Sequence, residues 1–420
     1  MTAFNEVLAR NTDQAPKVES ASQTVAFSHY NHFSAILPID PATGELVEGG
    51  ALEQATRSFE SLKAILESID RKLDDVVRIT VLLTDIADLE AVNEAQKKFY
   101  GEYFPTRTVF AVQELQKGAK LAIEAVVSHG LGTIPNAPQA DDLVKLARNT
   151  DRAPKCDVAT QTVAFSHYNN ISAQLGIDPE TGKLVEGGIE AEAKQAFDNL
   201  KAILESVDAP CDDIVKITIF LKDLADLEAV NTVYTTFFPD SAIARAIAYV
   251  PARTVVEVAD LPHGARVSVE AVVSHGDGTP PQAVEDRHGI VIWASNTDQA
   301  PRSELSTQTV AFSHYNNLSA QIGVDLEGKL VEGGVKAEAK QALEHIKAIV
   351  EHIDHKLADI VKINLYLTDL ADLAAVEEVY GEYFPEGTPA RRVVKVGKLA
   401  EGASVMIDAV VSNAEGTPRK

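Results

Sequence analysis

Gln23-Thr-Val-Ala-Phe-Ser-His-Tyr-Asn31 is a stretch of nine residues that the chain repeats without change at 161–169 and 308–316. Nine identities in every copy exceed chance, and the motif Asn-Thr-Asp-x-Ala-Pro recurs upstream of each copy. The chain of 420 residues is therefore a tandem of three homologous units. Each unit is long enough to bury a hydrophobic core of its own.

Short segments rich in proline and glycine separate the repeats and indicate that the units lie side by side. We place the units at 1–132, 133–279 and 280–420. The second unit carries an insertion of eight residues near 240–249, which is apolar enough to pack on a neighbour or to cover a pocket.

The charge and the cysteine content limit the possible functions. Acidic side chains exceed basic ones by 62 to 38, for a formal charge of −24, and no Lys/Arg stripe is present that could neutralise phosphates. Nucleic-acid binding is therefore disfavoured. Cys156 and Cys211 both lie in the second unit, so the repeats share no disulfide frame. With no signal-peptide pattern and no long apolar run, we expect a cytoplasmic protein without membrane contact.

Hydrophobic periodicity predicts the element order ββαβαββ in every unit and an α+β fold. In the first unit we predict a hairpin with strands at 23–27 and 34–39 around a polar turn at 28–31. The other elements predicted there are helices at 51–69 and 89–103 and strands at 77–83, 108–112 and 121–128. Two helices cover only one face of such a sheet, and its strands are apolar on both faces. We therefore expect the three sheets to pack inward against one another, with the helices outward.

Several motifs make each unit similar to the Rid family of imine/enamine deaminases, which is also called the YjgF or endoribonuclease L-PSP family. In the first unit they lie at 34–46, 75–85, 88–93, 105–107 and 123–126. The resemblance implies a chorismate-mutase-like fold, a trimeric arrangement with ligand pockets between subunits, and hydrolysis of reactive 2-imino or 2-enamino acids to 2-keto acids. Three units in one chain would then form a monomeric pseudotrimer that needs no cofactor.

The same resemblance suggests which residues bind a substrate carboxylate. The family's carboxylate-binding arginine corresponds to Arg107, Arg253 and Arg391. A guanidinium matches a carboxylate with two parallel hydrogen bonds, although a structural ion pair between units is the alternative. The serine beside the bound carboxylate corresponds to Ser34, Ser172 and Ser319, whose alternative role is to hydrogen-bond backbone inside the sheet. A nearby asparagine corresponds to Asn93 and Asn231, whereas the third unit has Glu377, which leaves open whether its site differs or is idle.

Other positions depart from the family pattern. The family's tyrosine is replaced by Ala21, Ala159 and Ser306, and its cysteine by Val109, Val255 and Val393. Its water-positioning glutamate falls on Ala122, Ser268 and Met406. The nearest carboxylates on the same strand face are Glu124, Glu270 and Asp408, which we take as candidate acid/base groups or, alternatively, as structural partners.

The histidines of the repeated stretch are a second candidate for proton transfer. They are His29, His167 and His314. An imidazole titrates near neutral pH, although these residues could equally serve only to form the hairpin turn. His345, His352 and His355 occur on one helix of the third unit alone, so we read them as part of a helix surface and predict no metal site.

The sequence thus favours a hydrolytic deaminase of small 2-imino or 2-enamino acids, with a small carboxylate-bearing metabolite as its partner. The alternative is a non-catalytic module that binds 2-keto acids, or a holdase-like protein, on the same scaffold. The charge of −24 argues against an endoribonuclease.

Overall fold

A computed structural model describes residues 6–18, 20–128, 145–238, 250–274 and 292–413. The predicted unit boundaries, the linkers and the insertion near 240–249 lie outside these described residues. No helix among the described residues combines the length and the apolar character needed to span a bilayer.

The three units share one order of elements. The first contains β1 (Leu8–Arg10), β2 (Thr24–Phe27), β3 (Tyr30–Phe33), α1 (Ala51–Ser68), β4 (Val76–Leu83), α2 (Leu89–Phe99), β5 (Thr106–Ala111) and β6 (Leu121–Ser128). The second contains β7 (Leu146–Arg148), β8 (Thr162–Phe165), β9 (Tyr168–Leu175), α3 (Ile189–Glu205), β10 (Ile214–Leu221), α4 (Leu227–Phe237), β11 (Ala252–Glu257) and β12 (Val267–Ser274). The third contains β13 (Trp293–Ser295), β14 (Thr309–Phe312), β15 (Tyr315–Leu318), β16 (Gln321–Ile322), α5 (Gly334–His352), β17 (Ile360–Leu367), α6 (Leu373–Tyr383), β18 (Ala390–Lys395) and β19 (Val405–Ser412).

Each unit forms one mixed sheet. In the first unit the strand order is β1-β2-β3-β6-β4-β5, in which β4 and β5 are parallel and the other neighbours antiparallel. The predicted α+β order is confirmed, with an additional short strand at the start of every unit. The predicted hairpin was wrong in detail, because Phe27 pairs directly with Tyr30 and the turn consists of Ser28 and His29 alone. The second strand also lies earlier than predicted: it runs from Tyr30 to Phe33, where all four residues are buried, and the predicted range 34–39 forms only isolated bridges at Ile36 and Ile39.

The helices pack on one face of each sheet. In the first unit Phe59, Leu62 and Leu66 of α1 lie in a buried cluster with Ile79 and Val81 of β4. The other two units have equivalent clusters. These clusters explain the helical spacing of apolar residues in the sequence.

The opposite faces of the sheets contact one another. One shared cluster contains Leu82, Phe110, Phe220 and Tyr366, and the rings of Phe110 and Phe220 stack with centroids 4.4 Å apart. A second shared cluster contains the phenylalanine and tyrosine residues of the repeated stretch. The sheets therefore face inward and the helices outward, as the apolar strands predicted.

Candidate functional site

The arginine of each unit lies against the serine of the next unit. The backbone N–H of Arg107 donates to Ser172 Oγ over 2.8 Å, and that of Arg253 donates to Ser319 Oγ over 2.9 Å. The backbone N–H of Arg391 donates to Ser34 Oγ over 2.7 Å. We call the three inter-unit clefts A, B and C, and they contain Arg107, Arg253 and Arg391, respectively.

The serine hydroxyls hold the clefts together. Each hydroxyl also donates its proton to a backbone carbonyl of its own unit: Ser172 to Thr160 O, Ser319 to Thr307 O and Ser34 to Ser22 O. One hydroxyl has a single proton, so none is left to donate to a ligand. The serines thus position the arginine strands, which agrees with the backbone role considered as an alternative.

The guanidinium groups of clefts A and B are buried and hydrogen-bond to an amide oxygen instead of a carboxylate. Arg107 donates to Asn93 Oδ1 over 2.7 Å, and Arg253 donates to Asn231 Oδ1 over 2.6 Å. Among the described residues, Nε and Nη2 of Arg107 and Nε of Arg253 have no hydrogen-bond partner. Burial lowers the pKa of Arg107 to about 10 and also lowers the pKa of Arg253. A buried cation with unused donors favours binding of an anion.

Cleft C differs in charge. Glu377 occupies the position of Asn93 and Asn231, and its two carboxylate oxygens accept from Arg391 over 3.0 and 2.6 Å. The side chain of Arg391 is 2% exposed and that of Glu377 is 23% exposed. The charge of Arg391 is therefore already balanced within the protein.

Aromatic rings support two of the three arginines. The guanidinium carbon of Arg253 lies 4.5 Å from the ring centroid of Tyr234, and that of Arg391 lies 4.9 Å from the ring centroid of Tyr380. In the first unit the equivalent residue is Gln96, which donates to Val158 O of the second unit. Among the described residues Arg107 thus lacks this cation–π contact.

A cavity of about 460 Å³ opens beside Arg107 in cleft A. Its lining includes Asn93, Ser172, Gln174 and Ser268. Ser268 stands where the family's glutamate is expected, and its buried Oγ has no hydrogen-bond partner among the described residues. From the sequence alone, Ser268 counted only as a departure from the family pattern. Its hydroxyl could have indicated that it belongs to the site.

A thiol and an imidazole also line the same cavity. They are Cys156 and His263, neither of which the sequence singled out for a ligand. Glu90 also lines the cavity and accepts from Asn93 Nδ2 over 3.1 Å, so it orients the amide that contacts Arg107. The cavity therefore offers both polar and apolar contacts to a small molecule.

The candidate acid/base groups lie elsewhere, in a charged cluster where the three sheets meet. Glu124 lies 2.8 Å from Lys362 Nζ and 3.6 Å from Arg392 Nη1. Together with Glu270 and Asp408 it lines a small cavity of about 60 Å³. The structure therefore does not bring these carboxylates together with the cleft A cavity.

The partners of the other two carboxylates are also in neighbouring units. Glu270 accepts from Thr108 Oγ1, and Asp408 accepts from Thr254 Oγ1 over 2.6 Å. Asp408 also lies 3.5 Å from Lys216 Nζ. These contacts across units fit the structural role considered for the three carboxylates.

Opposing effects set the protonation of the charged cluster. Burial alone would raise the pKa of Glu124, but the charges of Arg392 and Lys362 lower it below its ordinary value. Burial and the charge of Arg392 lower the pKa of Lys362 to about 8, although Glu124 opposes this effect. Four cationic side chains, Arg78, Lys216, Lys362 and Arg392, share this cavity with three carboxylates.

The three histidines of the repeated stretch are brought together by the structure. One ligand-type nitrogen of each, from His29, His167 and His314, lies within 4.8 Å of the other two. None of them lines the cleft A cavity. They thus form a separate cluster, which the sequence did not predict because a single repeat gives no sign of where its copies meet.

Comparison with known proteins shows the family of the chain. The family described as Endoribonuclease L-PSP matches residues 12–129, 160–275 and 298–413, and the chain belongs to this family. Over 135 residues it is 37% identical to a 2-iminobutanoate/2-iminopropanoate deaminase of Mus musculus, covering 32% of this chain and 94% of that protein.

Two further relatives carry the description RutC family protein. The one from Pyrococcus abyssi is 38% identical over 124 residues, which cover 29% of this chain and 91% of the relative. The one from Sinorhizobium fredii is 40% identical over 119 residues, which cover 28% of this chain and 94% of the relative. Each of these relatives therefore corresponds to a single unit of the present chain.

Proposed function

We propose that the chain is a hydrolytic deaminase of small 2-imino or 2-enamino acids that works as a monomeric, cytoplasmic pseudotrimer. The observation that carries this proposal is the guanidinium of Arg107, which is buried beside a cavity of about 460 Å³ with two nitrogens lacking partners among the described residues. The name of the Mus musculus relative supports this substrate class.

The proposed mechanism begins with the carboxylate. Its two oxygens accept from Nε and Nη2 of Arg107, and burial strengthens this pair. The imine carbon then lies in the cavity, where water held by Ser268 Oγ attacks it. The protonated imine and one water molecule yield the 2-keto acid and ammonium. The reaction therefore leaves no net proton on the protein.

The three clefts are unequal in this mechanism. Cleft A combines an arginine that has two nitrogens without partners among the described residues with the hydroxyl of Ser268. Alignment of the three units puts Met406 at the position of Ser268 in cleft B and Ala122 at that position in cleft C. In cleft C, moreover, Glu377 competes with any substrate carboxylate for Arg391. We therefore assign most of the activity to cleft A.

A direct assay tests the proposal. Generate 2-iminopropionate or 2-iminobutyrate in solution and follow its decay with and without the protein. We expect faster decay with the protein, and loss of the acceleration when Arg107, Arg253 and Arg391 are all replaced by alanine. Decay at the buffer rate would refute deamination of these substrates, and acceleration that survives the triple replacement would refute the assigned sites.

Binding without catalysis is the second candidate, because no carboxylate occupies the position of Ala122, Ser268 and Met406. In this case 2-oxobutyrate should raise the melting temperature, and the arginine replacements should abolish the rise. A rise without any acceleration of imine decay would favour this candidate. A holdase-like role instead predicts suppression of aggregation that does not depend on the arginines.

A further inference from the structure

His29, His167 and His314 stand at the same point of three hairpins and meet at one place. The centroids of their rings are 5.8 Å apart for His29 and His167, 5.5 Å for His29 and His314, and 5.8 Å for His167 and His314. One ligand-type nitrogen from each lies within 4.8 Å of the others, and each histidine is partly exposed. The cluster is therefore nearly symmetric and partly exposed.

The turn that aims these histidines is strained in every unit. Ser28, Ser166 and Ser313, which precede the histidines, have φ values of 49°, 53° and 51°. A two-residue hairpin loop of this kind requires a positive φ at its first position, which a residue with a side chain adopts only at a cost. The same turn conformation thus places the histidine at the second loop position in all three units.

Three tyrosine rings pack against one another next to the histidine cluster. The hydroxyls of Tyr30, Tyr168 and Tyr315 each donate to a backbone carbonyl of the neighbouring unit, at Phe165, Phe312 and Phe27. The three tyrosine rings are 6.0 to 6.1 Å apart. Because these bonds form a closed cycle, they fix the hairpins relative to one another.

Each histidine also packs edge-on against the phenylalanine of the next unit. The centroid distances are 6.5 Å from His29 to Phe165, 6.4 Å from His167 to Phe312 and 6.4 Å from His314 to Phe27. These contacts limit the ring positions while leaving the nitrogens near the centre. The arrangement is a preformed three-imidazole cluster on a rigid support.

We propose that His29, His167 and His314 form a binding site for one divalent first-row transition metal ion, with Zn²⁺ as the reference ion and an open position for water or an anion. Imidazole nitrogen is a common ligand of such ions, and three protein ligands with one open position is a known zinc arrangement. In the described part of the chain the cluster contains no thiolate or carboxylate, so no anionic ligand would offset the charge of the bound ion.

The required movement is small. Zinc–nitrogen bonds of about 2.0–2.1 Å in a tetrahedral site place the nitrogens roughly 3.3 Å apart. Starting from nitrogens at most 4.8 Å apart, each would move inward by less than about 1 Å, which a modest change of χ1 or χ2 provides. The site is separate from the cleft A cavity, because none of the three histidines lines that cavity.

Zinc titration of the untagged, chelator-treated full chain tests the proposal. In competition with a chromophoric chelator, we expect one tightly bound Zn²⁺ per chain. Replacement of one histidine, as in His167→Ala, should weaken zinc binding by at least roughly 10- to 100-fold. Replacing a residue that only hydrogen-bonds to a metal ligand already causes a loss of this size, so loss of a ligand itself should cause no less. The triple variant should lose the site, while His352→Ala and the pair Cys156→Ser with Cys211→Ser should bind as the parent does.

Cobalt reports the geometry of the same site. Co²⁺ bound by three imidazoles and one further ligand should give intense visible absorption, which the triple variant should lack. Variants with glutamine in place of His29, His167 and His314 serve as a second set for the same measurements. Circular dichroism confirms that each variant is folded. The proposal is overturned if zinc binds the triple variant as tightly as the parent, if the cysteine variant loses binding, or if the parent binds no zinc.

Discussion

The backbone N–H of Arg391 donates to Ser34 Oγ over 2.7 Å, although the two residues are 357 positions apart in the chain. This bond closes a cycle, since the equivalent bonds join Arg107 to Ser172 and Arg253 to Ser319. The last unit of the chain is thereby joined to the first. The cycle means that each cleft depends on two units at once.

Replacing Ser34 tests this closure. Ser34→Ala leaves the buried N–H of Arg391 without its acceptor, so we expect the free energy of unfolding to fall by about 1–3 kcal/mol. Urea denaturation would measure the change. Ser68→Ala is a suitable control, because Ser68 is exposed and bonds only to Ile65 O within its own helix. Equal effects of both variants would contradict the role given to Ser34.

The inequality of the clefts predicts unequal effects of the arginines. Arg107→Ala should lower kcat/KM for 2-iminopropionate by roughly 10- to 150-fold, because a hydrogen bond to a charged group contributes about 1.5–3 kcal/mol. Arg391→Ala should change it by less than about twofold, since Glu377 already occupies that guanidinium. Both rates are compared per folded chain. A larger loss from Arg391→Ala would show that cleft C carries the activity.

Glu377→Asn should open cleft C to ligands. The change restores the arrangement of Asn93 with Arg107 and removes the carboxylate that neutralises Arg391. Calorimetric titration with 2-oxobutyrate should then find one more site per chain than in the parent. Glu378→Asn is the matched control, since that neighbour pairs with exposed Lys336 instead. An unchanged number of sites would argue that charge is not what closes cleft C.

The central charged cluster predicts how stability depends on pH. The folded chain lowers the pKa of Glu124 below its ordinary 4.5, because Arg392 and Lys362 favour the ionised form over the effect of burial. A carboxylate with a depressed pKa contributes stability above its unfolded pKa and loses it as pH falls through the folded value. The free energy of unfolding should therefore fall as acid is added below about pH 5.

Glu124→Gln isolates this contribution. The variant should be less stable than the parent at pH 7, because Lys362 and Arg392 lose a buried partner. Its stability should fall less steeply than that of the parent between about pH 5 and pH 3. Parallel curves for the two proteins would exclude Glu124 as a source of the acid sensitivity.

Features that depend on local pattern and on repetition could be read from the amino-acid sequence. Identity of three long stretches established three units, and apolar periodicity established the order of helices and strands, since both are encoded in neighbouring residues. The resemblance to the Rid family picked out Arg107, Arg253 and Arg391, and the same resemblance showed that Glu377 departs from Asn93 and Asn231.

The contacts between residues of different units became apparent only in the folded structure. It paired each arginine with the serine of the following unit, and it put Glu124 in a charged cluster away from the cleft A cavity. It also gathered His29, His167 and His314 at one point. The physical reason is that these neighbours come from different units: their proximity follows from burying three apolar sheet faces together, which no single repeat encodes.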